Sequence, residues 1–297
     1  MKKHLFSGCA TALITPFTEN GKDVDIGFYE QLLQWQADCR ADAVVIAGTT
    51  GESPVLTAEE KKLLFSKAVS MLGRKIPVIA GTGSNNTQDA VRKSNEAEKE
   101  GVDGLLIVTP FYNKCTQDGL IAHCYYIAER VSTPIIVYNV PSRTGVNIRP
   151  ETYAALAEHP QIVGIKEAGG DLSAAAKTIA LCDDRADVYS GNDDQTVSMM
   201  SVGAKGVISV ASNLLPSEIH RLTYLMLNND HQAACELQRN YLPLTEALFS
   251  EVNPIPVKTA IEELFHKKQY FRLPLTEMSK QKKDVLLQEM RRLHLIG

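Results

Sequence analysis

Pro134-Ile-Ile-Val-Tyr138 and, one helix-length span later, Ile162-Val-Gly-Ile-Lys166 are the stretches on which the fold turns. Each is a short, β-branched, almost unbroken apolar run. A strand with one wet face alternates apolar and polar residues; a continuous run suits a parallel strand covered on both faces. Working outward, the same pattern returns at Cys9–Ile14, Ala43–Ile46, Pro77–Ala80, Gly104–Val108, Asp187–Ser190 and Gly206–Val210. The runs start at intervals of roughly 20–35 residues, the pitch of βα units. Eight units predict a (β/α)8 barrel, with an open doubly wound sheet as the weaker alternative. The first glycine-rich turn is not a G-x-G-x-x-G after the first strand, which speaks against dinucleotide binding.

Helix patterns fill the intervals. Thr57-Ala-Glu-Glu60 reads as a capping box, and Leu63, Leu64, Ala68, Val69 and Leu72 follow as one apolar face. Asn86-Thr87 precedes Ala90, Val91 and Ala97, and Thr116 precedes Leu120, Ile121, Cys124, Ile127 and Ala128. After about Leu227 the strand pattern stops. His231–Ser250, Val257–His266 and Leu275–Leu293 read as helices, interrupted by Asn253-Pro-Ile-Pro256 and Leu273-Pro274. The expected organisation is a catalytic barrel over 1–229 and a C-terminal helical appendage over 230–297, used for packing or subunit contact.

The composition narrows the function classes. With 31 Lys+Arg against 35 Asp+Glu, the net charge is −4, and no basic stripe offers itself to nucleic acid. No apolar run is long enough to span a bilayer, and no apolar stretch follows Met1-Lys2-Lys3 as a leader would require. The six cysteines are scattered without a Cys-x-x-Cys pair, which points to reduced thiols in a cytoplasmic protein without a structural metal.

Barrel enzymes carry their reactive groups where strands run out into βα loops. These ends read Gly48-Thr-Thr-Gly-Glu-Ser53, Thr109-Pro-Phe-Tyr-Asn-Lys114, Tyr138-Asn-Val-Pro-Ser-Arg-Thr-Gly145, Lys166-Glu-Ala-Gly-Gly170 and Ser190-Gly-Asn-Asp193. None of the seven histidines stands at such an end, so neither a histidine triad nor a histidine metal cluster is expected. Lys166 is the candidate amine nucleophile: desolvation in a barrel mouth favours the neutral amine, which attacks a carbonyl to form an imine. Its alternative is a rim lysine, snorkelling or paired with Glu167. Tyr138, at the neighbouring strand end, is a candidate proton shuttle or else a core tyrosine. Thr49 and Thr50 offer hydroxyls and N–H groups to a small carboxylate, or form an unremarkable turn. Arg143 offers a bidentate fork to a second carboxylate, or is an isolated surface residue. Together these ends favour chemistry on a small keto acid.

The same residues resemble the dihydrodipicolinate synthase / N-acetylneuraminate lyase family of class I aldolase-like barrels. The resemblance covers nearly the whole chain and adds Ala12-Leu-Ile-Thr-Pro-Phe17, Ala80-Gly-Thr-Gly83, Gly206-Val-Ile-Ser209 and Asn253-Pro-Ile-Pro-Val-Lys258. It implies that Lys166 forms the imine with pyruvate, and that Tyr138 donates and accepts protons. Thr49 relays them, together with Tyr112 reaching in from a neighbouring subunit. Thr50 and the main chain at Gly191 and Ile208 would hold the pyruvate. Arg143 implies the synthase branch, in which the second substrate is L-aspartate 4-semialdehyde and the product enters diaminopimelate and lysine biosynthesis. No metal or organic cofactor is implied, because the protonated imine is itself the electron sink. The oligomer implied is a homotetramer built as a dimer of dimers. Other pyruvate-dependent aldolases, such as sialic acid or keto-deoxy sugar acid lyases, are the rival reading. A non-catalytic pyruvate-binding barrel and a metal-dependent aldolase are further alternatives. The chain departs from lysine-inhibited members at Phe111, where a tyrosine is usual, and at Ala58 and Lys61, where histidines are. Strong inhibition by lysine is therefore not expected, although Ser53, Asn85 and Asp89 suit an amino-acid site.

Overall fold

The computed structural model describes residues 4–73 and 75–297; Met1, Lys2 and Lys3, where the leader was sought, lie outside it. Eight parallel strands close on themselves in sequence order: β1 (Gly8–Ala12), β2 (Ala43–Ile46), β3 (Val78–Gly81), β4 (Gly104–Val108), β5 (Ile135–Asn139), β6 (Ile162–Glu167), β7 (Asp187–Ser190) and β8 (Gly206–Ser209). β8 pairs back onto β1, with Ala10 opposite Ile208. This is a (β/α)8 barrel, and the open-sheet alternative is discarded.

The continuous apolar runs have the cause expected of them. Ala10, Ala43, Val45, Ile79, Leu106, Ile136 and Ile208 fill the lumen, while Cys9, Val44, Val78, Leu105, Ile135 and Val207 pack outward under the helices. Both sets are removed from water, so the two faces are not told apart by alternating polarity; Thr11, polar within β1, is itself buried and donates to Gln36 Oε1 at 2.6 Å. Phe6 stacks on Tyr189, ring centroids 4.3 Å apart, within the lumen cluster.

The surrounding helices are α1 (Ile26–Asp38), α2 (Ala58–Leu72), α3 (Thr87–Lys99), α4 (Gln117–Ala128), the single turn α5 (Pro141–Thr144), α6 (Pro150–Leu156), α7 (Leu172–Cys182), α8 (Thr196–Ser201) and α9 (Pro216–Leu227). The Thr57 capping box closes in both directions: Thr57 Oγ1 accepts from Glu60 N at 3.1 Å, and Glu60 Oε2 accepts from Thr57 N at 2.9 Å. The apolar face of α2 is rotated from the one expected. Leu63 is 40% exposed and Val69 is half-buried, whereas Phe65 is buried beside Leu64, Ala68 and Leu72. In α3 and α4, likewise, Ser94 and His123 take buried positions, while Val91 and Ile121 are only half-buried.

Three more helices follow: α10 (His231–Leu248), α11 (Ile255–Phe265) and α12 (Lys280–Arg292). The segment Asn253–Pro256 does not simply interrupt them, because Ile255 and Pro256 already form the first turn of α11, where proline's missing N–H costs nothing. α10 packs against α8, α9 and α12. Among the described residues, no helix is long and apolar enough to cross a membrane.

Candidate active site

β5 and β6 run out side by side, with Tyr138 opposite Lys166 in the ladder. The two side chains enter the barrel mouth together, the Lys166 ammonium nitrogen 4.4 Å from the centre of the Tyr138 ring. Lys166 is only 6% exposed. Burial pulls its pKa down to about 8, the nearby Asp193 carboxylate opposing and the Arg143 charge adding to the shift. The same burial pushes the Tyr138 phenol up to about 12, against Arg143 and a hydrogen bond with the Thr49 side chain. Desolvation thus moves both groups toward their neutral forms.

The alternative partner of Lys166, Glu167, faces the other way, as adjacent strand residues must. Its carboxylate accepts from Tyr153 Oη at 2.5 Å, from Asn139 Nδ2 at 3.1 Å and from the Gly169 N–H. Burial raises its pKa in spite of those donors. Lys166 is therefore free of any ion pair with its neighbour.

Lys166, Tyr138, Thr49, Thr50, Arg143 and Gly191 line one cavity of about 170 Å³. Thr50 is buried, and Arg143 sits on α5 just beyond β5. At Gly191 a side chain has no room. A Cβ there would lie 2.7 Å from Ala168 Cβ and 3.1 Å from both Glu167 O and Lys166 Cε. The glycine keeps β7 close enough for Gly191 N to donate to Glu167 O at 2.7 Å. Ile208 is fully buried in the lumen, and the wall of the cavity beyond β8 is Val210. Tyr112 does not join the cavity of its own chain. It projects from the loop after β4, 92% exposed and with φ at +68°.

Three contributors carried no role in the sequence reading. Asp193, in the Ser190–Asp193 motif, accepts from the Ser209 hydroxyl and from Val210 N and Ala211 N at 2.9 and 3.1 Å, which ties the β7 and β8 loops together beside Lys166. Asn253 enters from the C-terminal helices and donates from Nδ2 to Thr50 Oγ1 at 3.0 Å. Its main-chain carbonyl accepts from Arg143 Nη2 at 3.2 Å. Lys258, one turn into α11, meets Glu52 of the Thr49–Thr50 loop at 2.6 Å with neither side chain open to water. The appended helices thus hold the site as well as packing.

A second chamber opens beside the mouth, sharing Thr49, Tyr138 and Arg143 and extending to Ser53, Phe111, Lys61 and Lys93. Burial and the neighbouring Lys93 charge lower Lys61 to about 8. Among the described residues, no three His, Cys, Asp or Glu side chains gather as metal ligands.

Residues 5–292 match the model of the dihydrodipicolinate synthetase family. The chain belongs to that family. It is 46% identical over 292 residues to the 4-hydroxy-tetrahydrodipicolinate synthase 1 of Clostridium acetobutylicum, covering 98% of this chain and 99% of that one. Among solved structures it is similar to the dihydrodipicolinate synthase of Thermotoga maritima, with a TM-score of 0.96 and 40% identity over 99% of this chain and 100% of that one. It is also similar to the Acinetobacter baumannii dihydrodipicolinate synthase complexed with pyruvate, with a TM-score of 0.95 and 38% identity over 98% and 99% of the two chains.

Proposed function

We propose that the protein is a Schiff-base-forming lyase that condenses pyruvate with L-aspartate 4-semialdehyde, the reaction of a 4-hydroxy-tetrahydrodipicolinate synthase. The observation that carries this reading is the desolvated Lys166 amine packed on Tyr138 in a cavity that also holds Arg143. Neutral Lys166 Nζ attacks the keto carbon of pyruvate, and Tyr138 Oη protonates the developing alkoxide. The attached nitrogen gives a proton to the Tyr138 phenoxide, which passes it to the hydroxyl; water then leaves with the nitrogen lone pair pushing, giving the protonated imine. Thr49, hydrogen-bonded to Tyr138, relays the proton. Thr50 and the main chain at Gly191 and Ile208 hold the pyruvate. The Tyr138 phenoxide takes a methyl proton to give the enamine, whose carbon adds to the aldehyde of the second substrate while Tyr138 returns the proton to the alkoxide that forms. Arg143 grips that substrate's carboxylate in bidentate fashion. The substrate's amine then attacks the imine carbon, closing the ring and releasing Lys166. The polyhydroxylated aldehydes that sugar-acid lyases join to pyruvate carry no carboxylate of their own for the Arg143 fork, which disfavours the sugar-acid lyase reading.

Tyr112, exposed on its own chain, completes the proton relay of a neighbouring copy, so the working unit is a homo-oligomer, at least a dimer and by expectation a tetramer. The scattered thiols suit a cytoplasmic enzyme. Lysine is a weak inhibitor or none, because Lys61 and Lys93 present cations where a lysine ligand would bring its own, and Asp89 is already engaged by Arg92 and Lys93.

Borohydride reduction in the presence of pyruvate tests the chemistry: a pyruvyl adduct on Lys166 is expected, and unmodified Lys166 refutes it. Arg143→Ala tests the second substrate. It should keep the adduct and lose condensation with aspartate semialdehyde; unchanged turnover would overturn the assignment.

A further inference from the structure

Asn253 reaches the cavity from the loop between α10 and α11, 203 residues along the chain from the Thr50 that it contacts. One residue touches both halves of the site. Its Nδ2 donates to Thr50, on the keto-acid side, and its main-chain carbonyl accepts from Arg143, on the side of the second carboxylate. The remaining polar atom, Oδ1, is buried and has no donor in the protein. A desolvated amide oxygen without a donor is costly, so one on a residue that lines a substrate cavity points to a donor carried by the ligand. The acidic side chains nearby are already engaged. Asp193 is taken by Ser209 and two main-chain N–H groups, Glu52 by Lys258, and Glu167 by Tyr153 and Asn139.

The function proposed above, on which this step rests, gives the second substrate one strong donor. That donor is its α-ammonium, bonded to the carbon that carries the carboxylate. A carboxylate held by Arg143 therefore brings the ammonium next to the residue whose carbonyl steadies that arginine. We propose that Asn253 is a specificity residue for the amino group of the second substrate, accepting from it through Oδ1 while its carbonyl holds Arg143 on the adjacent carboxylate.

The test compares aspartate semialdehyde with 4-oxobutanoate, which keeps the aldehyde and the carboxylate but lacks the amine. The full-length protein and its Asn253→Ala and Asn253→Asp variants are assayed for the KM of the first and the inhibition constant of the second. Asn253→Ala should raise the KM for the amino aldehyde by about tenfold or more, the loss of one charge-assisted hydrogen bond, and move the 4-oxobutanoate constant by less than about twofold. Asn253→Asp keeps an acceptor oxygen and should retain the preference for the amine, even with Thr50's donor gone. The pyruvyl adduct on Lys166 checks that each variant is folded. Equal weakening of both ligands in Asn253→Ala, or loss of the amine preference in Asn253→Asp, overturns the proposal. A parent protein that traps no pyruvate overturns the function and this inference with it. A normal parent and an alanine variant with unchanged selectivity overturn this inference alone.

Discussion

Replacing Lys258 with methionine removes a charge from a place where its partner cannot recover water. Lys258 Nζ lies 2.6 Å from Glu52 Oε1, with side-chain exposures of 0% and 1%, and the ammonium also faces the rings of Phe17 at 4.4 Å and Phe271 at 4.9 Å. Methionine keeps most of the stem's volume, so the loss is chiefly electrostatic. It leaves the Glu52 carboxylate with a long contact to Arg272 N at 3.5 Å and the more distant Arg272 charge, and it takes away the donor to the Tyr270 carbonyl. Breaking one side of such a pair costs about 3–5 kcal/mol, whereas removing both charges is often nearly neutral. Lys258→Met and Glu52→Gln should each lower the melting temperature, on the order of 5–15 °C. The double variant should recover much of that loss, giving a large coupling in the cycle. A second readout ties the pair to function. Glu52 stands at φ 54°, and its N–H donates to Thr49 O at 3.1 Å, so a displaced Glu52 disturbs the turn that presents Thr49 and Thr50. The KM for pyruvate should therefore rise in Lys258→Met and fall back in the double variant. Melting within about 2 °C of the parent, or strictly additive losses, would refute the reasoning.

Two further outcomes follow from the mouth of the barrel. With Lys166 lowered to about 8 by burial, about one molecule in ten carries the neutral amine at pH 7, against about one in three thousand for an ordinary lysine. Because the neutral form reacts, the rate of imine trapping should climb with pH up to about 8 and then level; a rise continuing toward pH 10 would show that burial does not set this group. Gly191→Ala puts a Cβ 2.7 Å from Ala168 Cβ and 3.1 Å from Lys166 Cε, forcing the ends of β6 and β7 apart. Overpacking of this kind costs about 1–3 kcal/mol of stability. Imine formation should fall by more than about tenfold, and full trapping at the parental rate would show that the strand ends yield without moving Lys166.

What could be read in advance follows from the range of each interaction. A strand buried on both faces writes itself as a local run, so the eight strands lie within one or two residues of the expected spans. The Thr57 cap is a contact over three residues and was legible for the same reason. The pairing of Lys166 with Tyr138 needed only the assumption that consecutive strands are neighbours. Faces of helices were less legible. In α2, leucine at 63 and phenylalanine at 65 both satisfy an apolar count, and only the angle at which the helix meets the barrel selects Phe65. Asn253 and Lys258 could not be assigned their partners at all, because Thr50 and Glu52 lie more than two hundred residues away and no periodicity encodes that meeting.

That separation has a chemical consequence. The amine and phenol proposed to react, Lys166 and Tyr138, lie on adjacent strands, where register alone aligns them, but the groups that hold the site are recruited from the far end of the chain. A neutral amine beside a protonated phenol is a usable pair only while water stays out: rehydration would return Lys166 toward its ordinary pKa and cost it the neutral fraction it needs near pH 7. Asn253 and Phe249 are the residues by which the C-terminal helices wall this cavity, and Lys258 fixes the loop that lies against them. The helices that follow the barrel are thus one of the causes of the desolvation that lowers Lys166. A change that loosens them without touching the barrel mouth should shift the pH dependence of imine formation upward before it unfolds the protein.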